Sequence, residues 1–135
     1  MTKTYLDNLT YEIIGAAIEV HKNLGPGLSE SVYRTCLEHE FILQGINFIS
    51  QPIVPIHYKG IELESQLRCD FLVSKNIVIE LKSVEIIKPI FQAQLLTYMK
   101  LLDAPKGILI NFNCKNIFKE GQQTFVNEHF KLLPD

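Results

Sequence analysis

The 135-residue chain has few cysteines, no long apolar run, no low-complexity tract, no internal repeat period and no excess of basic residues. Each shortage excludes something. The three cysteines, Cys36, Cys69 and Cys114, lie far apart, and neither they nor His21, His39, His57 and His129 show the paired spacing of a zinc site, so free buried thiols are expected. No apolar stretch approaches the roughly 20 residues that a membrane span needs. The opening MTKTYLDN has no apolar core of a secretory leader, which gives a cytoplasmic protein with no membrane partner as the expectation.

A net charge of -2 excludes the whole-molecule field that drives tight binding in strongly basic nucleic-acid proteins. The average hides an asymmetry: residues 1–67 balance at -4 and residues 68–135 at +2. Lys75, Lys88, Lys100, Lys106, Lys115 and Lys119 would form a local basic rim or be ordinary solvated lysines, with nothing to choose between the two. What is present is a globular composition, 47% hydrophobic and 21% charged, of a length suited to one domain spanning residues 1–135.

Apolar residues at helical spacing predict a helix from about Asn8 to Leu24, stopped by the sequence NLGPG. A second helix is expected over Leu28 to Gln44, ending at Gly45, with Tyr33, Leu37 and Phe41 on its core face. Glu30 lies on or beside that apolar stripe, an unusual address for a carboxylate unless it is paired or bound to a metal. The stretch from Asn47 to Val73 reads as two extended segments with a turn at Lys59-Gly60. Ile77 to Ser83 follows as a strand, Pro89 opens a helix to about Leu102, residues 106–112 form a buried strand and 116–126 supply another beside it.

Strand alternation puts Val78, Glu80 and Lys82 on one face, and in the preceding strand it puts Arg68 and Asp70 on one face with Cys69 and Phe71 opposite. If these strands form a hairpin, Asp70 faces Glu80. Two facing carboxylates repel unless a divalent cation sits between them, and Mg²⁺ and Mn²⁺ prefer such oxygens. An ammonium at Lys82 would then hold the attacking water or the charge building on a phosphate, which is the chemistry of phosphodiester hydrolysis. The competing reading of the same residues is a structural salt bridge between Glu80 and Lys82. Gln94 and Tyr98 share a helix face, Gln94 at the edge of the core stripe, where it would orient water or phosphate or simply face solvent, and Tyr98 in the core.

GLSESVY, Gly27 to Tyr33, matches the G-x-x-E-x-x-Y signature of the GxxExxY protein family, and AAIEVHKNLGPGLSESVY, LRCDFLV, NIVIELKSVE, QAQLLTYMKL and GILINF follow in that family's order from about residue 10 to 112. The chain resembles this family, which looks like a branch of the PD-(D/E)XK nuclease superfamily. The resemblance implies an α/β fold of restriction-endonuclease-like type, a mixed β-sheet of about four to five strands flanked by helices. It implies Asp70 and Glu80 as metal ligands, Glu30 completing the site directly or through water, Lys82 as the catalytic lysine, and Gln94 and Tyr98 as the Q-x-x-x-Y helix motif of the RecB-like branch. Cys69 stands where the superfamily's name has proline. The implied activity is hydrolysis of nucleic acid, DNA before RNA, with Mg²⁺ or Mn²⁺, in a chain that could pair as a homodimer. The alternative is a nuclease fold that binds nucleic acid or protein without turnover. His21 is expected to be a hydrogen-bonded core histidine outside the catalytic set.

Overall fold

The computed structural model describes all residues, 1–135. Helix α1 (Lys3–Leu24) starts five residues before the expected point because Thr2 caps it, its hydroxyl accepting the Tyr5 N–H at 3.0 Å. Its core stripe runs from Leu6 through Ile13 and Ala17 to Val20, all buried. Gly25, at φ 75°, ends the helix. Helix α2 (Glu30–Gln44) packs on α1, buries Tyr33, Leu37 and Phe41, and stops at a left-handed Gly45.

The stretch read as two extended segments contains four short strands instead: β1 (Phe48–Ser50), β2 (Ile56–Tyr58), β3 (Ile61–Leu63) and β4 (Phe71–Val73). Pro52 and Pro55 explain the difference. Neither can donate to a ladder, so the extended run is cut between β1 and β2. Strand β1 then pairs antiparallel with β4, while β2 and β3 close a separate hairpin through Lys59 and Gly60, both at positive φ.

Strand β5 (Ile77–Lys82) pairs antiparallel with β4, and helix α3 (Pro89–Leu101) crosses over to β6 (Lys106–Asn111), which lies parallel to β5. Strand β7 (Gln122–Val126) closes the edge antiparallel to β6, giving the order β1-β4-β5-β6-β7. A turn of π-helix at Ile117–Gly121 takes the first part of the stretch expected to be strand, and a short helix α4 (Glu128–Lys131) follows β7. The result is an α/β fold with a mixed five-stranded sheet flanked by helices, as expected. No helix is long and apolar enough to cross a membrane.

The two faces of the sheet bury different layers. Ile77, Ile79, Leu81, Ile108 and Ile110 pack under α1 and α2, while Val78 and Leu109 pack with Leu95, Tyr98 and Met99 of α3. The crossover helix approaches closely at Gly107, where a Cβ would come within 2.6 Å of the Met99 sulfur.

Two expectations fail on these layers. Cys69 does not share a face with Phe71: it packs in the α3 layer and Phe71 in the α1/α2 layer, because the chain bends at Asp70 and breaks the alternation. Lys106 belongs to no basic rim. It is buried, with its Nζ 2.6 Å from Asp7 Oδ1 and 5.2 Å from the centre of the Phe130 ring. The other five lysines of that group are exposed.

Candidate active site

The site forms where the β4–β5 ladder ends. Phe71 pairs with Ile79, so one step further along the hairpin Asp70 comes opposite Glu80. There the backbone ladder gives way to two reciprocal side-chain bonds. The Asp70 N–H donates to Glu80 Oε1 at 3.1 Å, and the Leu81 N–H donates to Asp70 Oδ2 at 2.8 Å. Each carboxylate is thus aimed by the backbone of the other strand, a charge-assisted arrangement in which neither side chain rotates without losing a bond. The Asp70 carbonyl also accepts the Gln51 N–H at 2.8 Å, which ties the bend to the end of β1.

Burial and proximity act on the charges as electrostatics requires. Glu80, only 7% exposed, has its carboxyl pushed up to about 8, first by burial and then by the neighbouring Asp70 charge; the Asp70 N–H and Lys82 offset part of this, and Glu30 adds slightly to it. Burial, followed by the charges of Glu80 and Asp70, pushes the Cys69 thiol up to about 12. Burial and the same two carboxylates also raise the Tyr98 hydroxyl. Cys69 is an inert thiol: all three cysteines are free, and its own points at the Phe71 carbonyl.

The salt bridge weighed as the alternative reading of Glu80 and Lys82 does not form. Lys82 Nζ lies over the face of Phe91, 4.3 Å from its centre, and Glu80 has no cation within salt-bridge distance. The cation at the site is Arg34, whose Nη1 is 3.1 Å from Asp70 Oδ1. The sequence reading passed over Arg34. Its signal was the spacing, because Arg34 lies four residues after Glu30 and so shares that helix face.

Glu30 is half-buried at the first turn of α2, close enough for its charge to act on Glu80, but no three acidic, histidine or cysteine side chains gather into a metal-holding cluster. The loop that delivers Glu30 is fixed by Tyr33. Its ring is fully buried and stacked on Phe112 with centroids 4.3 Å apart, and its hydroxyl donates to the Gly25 carbonyl and accepts the Leu28 N–H. Ser83, just past β5, donates to the Leu28 carbonyl at 2.6 Å and locks that loop to the strand carrying Glu80 and Lys82. Gln94 is half-buried and lies one turn before the buried Tyr98 on α3, which packs with Cys69 and Val78 on the same side of the sheet as Glu80.

Asn111 was also missed. It is buried, pairs in register with Lys82, and its amide both donates to the Val84 carbonyl and accepts the Val84 N–H, holding the chain as it leaves β5. A polar residue at the end of an apolar strand run was the available signal. His21 lies outside the site, its Nε2 2.9 Å from the Cys114 carbonyl.

The donor chemistry fits a divalent metal ion. Mg²⁺ is held by one or two carboxylates with water filling the other positions, and Asp70 and Glu80 offer two preset carboxylates. Glu80 in addition is a buried acid without a cationic partner. Arg34 on Asp70 Oδ1 is the one feature that competes with such an ion.

Comparison with known proteins adds a family and a fold. The model of the PD-(D/E)XK nuclease superfamily matches residues 7–124, a span that runs from within α1 into β7 and includes Glu30, Asp70, Glu80 and Lys82. The crystal structure of SSO0001 resembles this chain with a TM-score of 0.52 at 21% sequence identity, over 72% of this chain and 49% of that one. That likeness is one of fold, and this chain spans about half the length of that protein. No curated protein matches the chain.

Proposed function

The chain belongs to the PD-(D/E)XK nuclease superfamily, and on that premise we propose that it hydrolyses phosphodiester bonds in nucleic acid, DNA in particular, with Mg²⁺ or Mn²⁺ held by Asp70 and Glu80. The motifs from Gly27 to Phe112 support placing it in the GxxExxY branch, as a single nuclease-like domain that works in the cytoplasm. The observation that carries the reading is the reciprocal pair of carboxylate–backbone bonds, which fixes two acidic side chains at one strand end with Lys82 two residues further on the same face.

A divalent cation bound there supplies Lewis-acid polarisation of the phosphate and eases loss of a proton from the attacking water. Asp70 and Glu80 orient and neutralise that ion. Lys82 leaves the Phe91 face to hold the nucleophile or the charge that develops on the phosphate. Gln94, one turn before Tyr98 on α3, positions the water, and Glu30, whose charge acts on Glu80, completes the metal site directly or through water. In wild type, calorimetric titration with Mn²⁺ should give metal-dependent heat that Glu80→Ala abolishes. Lys82→Ala should bind Mn²⁺ as wild type does yet cleave labelled DNA at least about 100-fold more slowly. An unchanged cleavage rate would sink the role given to Lys82.

A second reading, a nuclease fold that binds nucleic acid or protein without turnover, draws on the Arg34–Asp70 ion pair, which already neutralises one of the two carboxylates. Absence of metal-dependent heat in wild type would favour it.

A further inference from the structure

Arg34 makes a single hydrogen bond within the chain, from Nη1 to Asp70 Oδ1 at 3.1 Å. Its guanidinium has five donors in a rigid fork, so most of that fork is left over. The side chain is 25% exposed and Asp70 13% exposed, so the pair sits at the mouth of the site rather than in the core. Asp70 Oδ2 is committed to the Leu81 N–H, which leaves Oδ1 as the oxygen facing away from the ladder. That oxygen is the one Arg34 occupies. Lys82, the other cation nearby, sits on Phe91 and leaves the carboxylates to Arg34.

From this geometry we infer that Arg34 is an exchangeable counterion: it holds Asp70 until a divalent cation takes Oδ1, and the released guanidinium then grips a non-bridging oxygen of the nucleic-acid phosphate beside the site. The inference rests on the metal-binding reading given above. Three facts support it: a one-point contact uses little of the fork, the helix position is set by α2 and needs no movement of backbone, and Arg34 already lies within a side chain's swing of the carboxylate that the cation would share. A guanidinium suits the second role because its fork matches phosphate oxygens, which a carboxylate contact through one nitrogen does not exploit.

The two roles pull in opposite directions, and that makes them testable. Arg34→Gln should bind Mn²⁺ about fivefold more tightly than wild type by calorimetry, because a competitor has gone. With Ca²⁺ in place of Mn²⁺, the same variant should bind a fluorescein-labelled DNA oligonucleotide about fivefold or more weakly. Arg34→Lys keeps the charge without the fork, and should restore the wild-type Mn²⁺ affinity while restoring DNA binding only in part. A merely structural Arg34 predicts the reverse for metal: Arg34→Gln would melt lower and bind Mn²⁺ no better, and that result overturns the inference while leaving the metal site intact. Loss of Mn²⁺ heat from wild type itself would overturn the metal-binding reading, and this inference with it.

Discussion

Glu80 and Lys106 are two buried ionisable groups in neighbouring strands of one sheet, 7% and 4% exposed, and the fold treats them in opposite ways. Lys106 points to the α1 side, where Asp7 meets its ammonium at 2.6 Å and Phe130 covers it. Glu80 points to the α3 side, where it receives one backbone N–H and the repulsion of Asp70, and no cation. One charge is satisfied by the chain that buries it. The other is a carboxyl that ionises only at a cost the chain leaves standing, and a buried acid without a cation is a candidate place for a group from outside to complete the balance. A structural ion pair and a candidate binding site thus differ in what each lacks.

Three measurements would break or sharpen that contrast. Asp7→Ala should destabilise the protein by about 2 kcal/mol in urea unfolding, since it strands a buried ammonium, whereas Lys106→Met, which removes the charge and keeps the volume, should change stability by less than about 1 kcal/mol. Equal losses in the two variants would show that Lys106 is held by packing rather than by its partner. At the other pole, Glu80→Gln should stabilise the metal-free protein at pH 8 by about 1–2 kcal/mol, because the amide oxygen still accepts the Asp70 N–H and the buried charge is gone. A loss of stability there would mean that Glu80 is balanced within the chain after all.

The smallest effect is a slope. Glu80 ionises in the unfolded chain near its ordinary 4.5, and in the folded protein only near 8. Between those values the unfolded chain gives up a proton that the folded one keeps, so stability falls as pH rises through this window, by at most about 1.4 kcal/mol per pH unit. Below it the penalty is absent, and above it fully present. Chemical denaturation of wild type and Glu80→Gln at pH 5, 6, 7 and 8 should show the decline in the first and its removal in the second; parallel curves would assign the slope to another group.

The segments that could be read from sequence were those whose pattern is local. The α1 and α2 stripes, Pro89 at the start of α3 and the apolar runs of β5 and β6 each carry their period or their punctuation within a few residues. Residues 48–73 were read with too few strands because pairing, not propensity, decides them: Phe48 finds Val73 across twenty-five positions, and the prolines between cut a run that alternation alone would join. The face of Cys69 was misread for a related reason, since alternation fails at the bend that Asp70 makes. Lys106 and Arg34 were obscured by distance. Asp7 and Lys106 are ninety-nine residues apart and Arg34 and Asp70 thirty-six, and nothing in one sequence announces a pair at such range. The candidate carboxylates were visible because Asp70 and Glu80 lie at the two ends of one hairpin, where a short turn sets the register.

The reciprocal bonds at Asp70 and Glu80 also bear on how such a site can be lost by descent. Each bond asks only for a side-chain oxygen that accepts a backbone N–H, and an amide supplies one as well as a carboxylate does. Asp70→Asn or Glu80→Gln would therefore erase the negative charge while leaving the hairpin closed. Folding would lose the Arg34 ion pair in the first case, whereas the second change would be welcomed by selection on stability. Under the proposed metal-binding role, an inert relative would stand a single substitution from an active one, and retention of both acids in a lineage would record a demand for their charge beyond the needs of the fold.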